Sequence, residues 1–173
     1  MVISVGVLAQ KADIPKWVGT WELDVQESSF GKILFPGAPV DFTFLSQRAK
    51  LEQATDRLRI SADIVYSDAT GTHKVHEESD VSLDGQETVI GPGALSFRRI
   101  DDSTFDIISR MNTRNTSVGQ VSHFAVSSDG QMLTETKTQT EREAVPEDAK
   151  KNSGAVIRTS ISVLVFRKLP DHK

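Results

Sequence analysis

Residues 57–67 read RLRISADIVYS, and this stretch decides the fold. Leu58, Ile60, Ala62, Ile64 and Tyr66 fall on one side, with Arg57, Arg59, Ser61 and Asp63 on the other. Successive side chains of a strand leave the pleat in opposite directions, so a period of two marks a strand with one buried and one wetted face. The same rhythm recurs outward from this segment. Ile157, Ile161, Val163, Val165 and Leu169 alternate near the C-terminus, and Phe105 and Ile107 share a side with Ser109 and Met111. In Gln131–Glu141, Thr134, Thr136, Thr138 and Thr140 fall on one side. Their branched Cβ atoms favour a strand over a helix.

Turn signals separate these runs. Asp84-Gly85 and Asp129-Gly130 are strong hairpin cues. Asp68–Gly71 and Asp101–Ser103 suit longer or type I turns. Strands are predicted over 19–26, 40–53, 57–67, 72–82, 86–91, 94–100, 104–112, 118–127, 131–142 and 156–168. Such spacing without long helices argues a meander that closes into a barrel or folds as a sandwich. The reading adopted is an all-β chain, a single antiparallel up-and-down barrel of about eight to ten strands with little helix. Ala12–Val18 is a candidate helical turn, and residues 143–153, polar and holding Pro146, read as a mobile loop or one short helix. The Pro/Gly-punctuated loop 29–39 carries Ile33, Leu34 and Phe35, apolar residues suited to folding over an opening.

Composition narrows the chemistry. A chain of 173 residues suits one domain, with 1–16 expected as an arm or signal remnant and 17–173 as the barrel. Hydrophobic residues make up 38% and charged residues 25%, a globular balance. A net charge of -4 with no basic block argues against nucleic-acid binding. The absence of cysteine excludes disulfides, thiolate catalysis and cysteine-bound metal. It fits more than one compartment, so localisation stays open, the cytoplasm being slightly favoured over the periplasm or the exterior. No stretch has the length of about 18 to 20 apolar residues needed for a helical membrane span. Met1–Gln10 is apolar but short for a signal peptide and has no basic residue in front. It reads as a first strand or arm, a signal remnant, or an amphipathic helix closing one end.

The segment Trp17-Val18-Gly19-Thr20-Trp21-Glu22-Leu23 resembles the Gly-x-Trp opening of lipocalin-like (calycin) barrels. Glu27-Ser28-Ser29-Phe30 with Pro36-Gly37-Ala38-Pro39 is similar to the "KSxFxPGPAP" loop of a bacterial lipocalin-like family. Residues 97–105 (FRRIDDSTF) resemble that family's "LKRIDDRTVE" hairpin, and 127–134 (SSDGQMLT) its "SKDGKTLT" hairpin. The likeness runs in order over most of residues 17–168. It implies a barrel scaffold, with small apolar molecules as the usual ligands and a minority of enzymes. It also implies a structural pair in which Arg167 of the last strand stacks over Trp21. The loop 29–39 and the segment 143–155 are longer than the usual pattern, so the mouth of the barrel is expected to differ.

The candidate site residues follow from strand parity. His73 and His76 form an H-x-x-H beside Glu77 and Glu78, but on a strand the two histidines point oppositely, so no single metal site results. His73 and Glu77 share a face with Val75 and Val81, and lie inside the barrel if the valines point inward. Tyr66, the only tyrosine, ends an inward run and faces His73 across the hairpin. Tyr66, His73 and Glu77 are therefore the candidate acid–base set, with solvent exposure of the histidine and carboxylate, and core packing of the tyrosine, as the competing readings. Phe35, Ile64, Phe97, Arg99, Met111 and His123 are the candidate ligand contacts, an interior Arg99 favouring a ligand carboxylate. The direction of His123 and of Arg158 is ambiguous from parity, and Arg110 with Asp106 reads as a surface pair. The expected function is binding of a small hydrophobic molecule in an apolar lumen reached beneath 29–39 or 143–155, without cofactor or metal. The alternative is a cofactor-free isomerase, cyclase or lyase on a terpenoid- or polyketide-like substrate. A third reading is a packed interaction domain forming a homodimer.

Overall fold

Antiparallel pairing in sequence order builds the molecule. A computed structural model describes residues 14–35, 38–40, 43–113, 116–143 and 155–170, with backbone alone for 33–35 and 38–40. Residues 1–13 of the predicted arm and the segment 144–154 lie outside the described residues. Strands β1 (Gly19–Leu23), β2 (Ile33–Phe35), β3 (Ala38–Val40) and β4 (Thr43–Ala54) come first. Next are β5 (Arg57–Asp68), β6 (Gly71–Ser82), β7 (Thr88–Ile90) and β8 (Gly93–Arg99). The last four are β9 (Thr104–Asn112), β10 (Thr116–Val126), β11 (Met132–Glu143) and β12 (Val156–Lys168).

Ten strands form one sheet in the order β6-β5-β4-β1-β12-β11-β10-β9-β8-β7. The sheet is a meander joined to itself where β12 pairs β1, and it is nearly closed into a barrel with β6 and β7 at its two ends. Gly85 and Gly130 hold φ of 81° and 72° in the Asp-Gly turns, a left-handed conformation that costs glycine least. The loop 29–39 differs from expectation: β2 and β3 pair as a short hairpin lying against β11. No helix occurs among the described residues, and none there is long and apolar enough to cross a membrane. The candidate helix at 12–18 is, over its described part, a turn closed by Val18 N donating to Pro15 O at 3.1 Å.

One end of the barrel is filled. Trp17, Trp21, Leu58, Val81 and Phe105 are each completely buried and belong to one apolar cluster with Phe97, Leu133, Leu164 and Phe166. Trp17 plugs this end, its ring 5.3 Å from Phe105 and 6.2 Å from Phe97, while Trp21 Nε1 donates to Trp17 O at 3.0 Å. The cation over Trp21 corrects the expected pairing. Lys168, not Arg167, sits 5.3 Å from the ring centroid. Lys168 is the cross-strand partner of Trp21, so Arg167, one residue earlier, faces out. There it pairs with Asp24 and Glu27 and ties down the turn after β1.

Candidate functional site

Away from the tryptophan end the lumen has a polar wall, and β11 supplies most of it. Leu133 lies in the apolar cluster, so Glu135, Lys137, Gln139 and Glu141 share its inward direction and the threonines face out. Across the sheet these residues meet inward-facing partners. Ser122 and Ser162 flank Lys137, Gln120 and Ser160 flank Gln139, and Val118 and Arg158 flank Glu141. Apolar residues persist here too: Phe44, the cross-strand partner of Tyr66, is buried and stacks on Phe30, and Val118 is buried beside Glu141. The lumen is therefore mixed away from the tryptophan end, a correction to the expectation of an apolar interior.

Burial makes this wall costly unless it is paired. Glu141 is wholly buried, Glu135 is 5% exposed and Gln139 8%. Arg158 Nε donates to Glu141 Oε2 at 2.6 Å, and Lys137 Nζ lies 3.4 Å from Glu135 Oε1. Gln139 Nε2 donates to Gln120 Oε1 and Gln120 Nε2 to Ser122 Oγ, both at 3.0 Å. Ser162 Oγ accepts from Gly31 N at 2.9 Å, which anchors the chain leading into the β2–β3 hairpin. In each ion pair the carboxylate is the more hidden partner: side-chain exposure is 1% for Glu141 against 34% for Arg158, and 7% for Glu135 against 18% for Lys137. The accessible parts of the pairs are cationic donors.

Tyr66 and His73 stand at the open end of the barrel as cross-strand partners. Their rings stack with centroids 5.0 Å apart at 26°. His73 Nε2 lies 3.0 Å from Asp68 Oδ1 and 2.9 Å from Thr70 Oγ1. The Thr70 hydroxyl and amide, together with His73, hold the Asp68 carboxyl down at about 2. Glu77 does not join this group. It is exposed although its register points it inward; it sits midway along β6, which has a sheet neighbour on one side only among the described residues. His76 takes the opposite face, 2.7 Å from Asp63 and 3.3 Å from Glu78. The hydrogen bond to Asp63, then that to Glu78, raises its pKa.

The candidate ligand contacts scatter. Ile64 is half-buried against the apolar cluster, and Phe97, at 2% exposure, belongs to the cluster itself. Met111, 39% exposed, faces the open half. Arg99 is exposed at the rim and pairs with Asp102 instead of reaching inward. The side chain of Phe35 lies outside the described residues. His123 is on the outer face, because Val118, Ser122 and Val126 take the lumen side of β10. It sits in a row with Asp106 and Arg98. Asp106 Oδ1 accepts from His123 Nδ1 at 2.7 Å and Oδ2 from Arg98 Nε at 2.9 Å. Burial alone pushes the Asp106 carboxyl up, but the hydrogen bonds from Arg98 and His123 outweigh it and leave the pKa lowered.

Sequence reasoning missed the polar wall of β11 and the Asp68 partner of His73. One signal was present: Leu133 has the same parity as Glu135–Glu141, so an inward Leu133 turns the charged positions inward as well. Comparison with family models, curated proteins and solved structures gives no match. The fold defines the class, a nearly closed ten-stranded antiparallel β-barrel compatible with a lipocalin-like architecture.

Proposed function

We propose that the barrel binds a small amphiphilic molecule in its open half, with an anionic or strongly hydrogen-bond-accepting group against Lys137 and Arg158. The reading rests on one observation: a buried polar wall whose carboxylates are hidden and whose cations face the lumen. Buried polar groups cost stability unless paired or used, and each cation retains donor capacity beyond its carboxylate contact. Half-buried Ile64 and Met111 offer apolar contact for the body of the ligand. Titration with 8-anilinonaphthalene-1-sulfonate should give saturable one-site binding, weakened about tenfold by Lys137→Gln, as expected for loss of one charged hydrogen bond. Absence of saturable binding would count against the reading.

A second reading has its own observation. Nε2 of His73 meets Asp68 and Thr70, which leaves Nδ1 as a candidate proton acceptor beside the Tyr66 hydroxyl-bearing ring. This supports a cofactor-free isomerase, cyclase or lyase. Turnover of terpenoid- or polyketide-like substrates that vanishes in His73→Asn would favour it, and unchanged turnover would sink it.

A further inference from the structure

On the strands at the two ends of the sheet, several side chains that the register points inward are exposed away from the tryptophan end. On β6, Val75 is 37% exposed and Glu77 is also exposed; on β7, Ile90 is 44% exposed. At the tryptophan end β6 closes against β8, where Val81 and Phe97 share the apolar cluster and Gly85 packs under the Phe97 carbonyl. Toward His73 no pairing between β6 and β7 closes the seam among the described residues. An unpaired edge ordinarily recruits another strand, and charges on it, inward-pointing ones above all, prevent this. Lys74, Glu77 and Glu78 place such charges along the open stretch of β6.

We infer that the β6–β7 seam is the lateral portal through which the ligand reaches the lumen. The inference deepens the lumen-binding reading and rests on it. A molecule passing between the lips meets Val75 and Ile90 first and reaches the donors of β11 and β12 across the lumen. The edge charges keep the seam unpaired, so access needs no strand to be broken. The β2–β3 hairpin, lying against β11, is then a wall rather than the door.

The chain has no cysteine, so a cleavable bridge can be placed cleanly. Lys74→Cys and Val89→Cys put thiols on the outer side of the two lips, where a bismaleimide containing a disulfide can join them. With 8-anilinonaphthalene-1-sulfonate in stopped flow, the bridged protein should take up and release the probe about tenfold more slowly or worse, and reductant should restore both rates. The same bridge between Ala125→Cys and Thr134→Cys, cross-strand partners on the outer face, should leave the rates unchanged. Unaltered rates in a seam-bridged protein verified by mass overturn the portal while leaving lumen binding intact. Failure of the wild-type chain to bind the probe overturns the lumen reading and the portal with it. Should the bridged variant not fold, alkylation of Glu77→Cys gives the second readout. Probe in the lumen should slow it severalfold, and an unchanged rate rejects the portal.

Discussion

Strands β6 and β11 make the instructive comparison. Each has 12 residues and each carries charge on both faces. β11 lies between β10 and β12, and its inward Glu141 is completely buried; β6 has β5 alone, and its inward Glu77 is exposed. Composition does not separate them; their places in the sheet do, since terminal β6 buries its inward face only at the tryptophan end, at Val81. A strand flanked on both sides has its inward face enclosed by the barrel, so its charges must be paired. Away from the tryptophan end the terminal strand leaves its inward Val75 and Glu77 exposed.

The largest break in this comparison should come from Arg158→Met. It takes the Arg158 guanidinium away from the buried Glu141 carboxylate and should lower unfolding free energy by about 2 to 3 kcal/mol in urea denaturation. Lys74→Met on β6 should change it by less than about 0.5 kcal/mol. Equal losses would show that the two strands share one environment. Next in size is Asp106→Asn, which weakens the bonds from Arg98 and His123 to a side chain only 2% exposed and should cost about 1 to 2 kcal/mol.

Smaller effects appear as pH dependence. Asp68 has a folded pKa of about 2, below its ordinary 3.8, so its contribution is present above 3.8 and is lost as pH falls toward 2. Thr70→Val, which removes the hydroxyl and keeps the amide, should move the Asp68 titration, followed by NMR, part of the way toward 3.8, and an unmoved midpoint would remove the Thr70 hydroxyl as a cause. His76 runs the other way. Its folded pKa is raised above 6.5, so its contribution is full below 6.5 and is lost as pH rises through the folded value. Asp63→Asn should bring the imidazole titration back toward 6.5 and flatten that slope.

Much of the frame was legible in the sequence. The expected strands 57–67 and 156–168 correspond to Arg57–Asp68 and Val156–Lys168. In the first, the period-two apolar face is the inward one; in the second, Ile157 and Ile161 of the alternating set are exposed on the outer face, and Leu164 and Phe166 are buried in the core instead. The β2–β3 hairpin was not legible, since Pro36 and Gly37 interrupt the run that would mark it. The site was less legible than the frame. Tyr66 and His73 were brought together by hairpin register alone. On β11 both faces are polar, so period two marks a strand without saying which face is inward; only the tertiary position of Leu133 decides that. Arg167 and Lys168 show the same limit, because one residue of register exchanges lumen for solvent.

The central claim is that the open half of the lumen presents cations to a ligand. The most direct measurement compares the affinities of 8-anilinonaphthalene-1-sulfonate and the uncharged N-phenyl-1-naphthylamine at one fixed ionic strength. The account predicts a preference of about tenfold or more for the sulfonate, abolished by Lys137→Gln with Arg158→Gln. Equal affinities in the wild-type chain, or a preference that survives both substitutions, would contradict it.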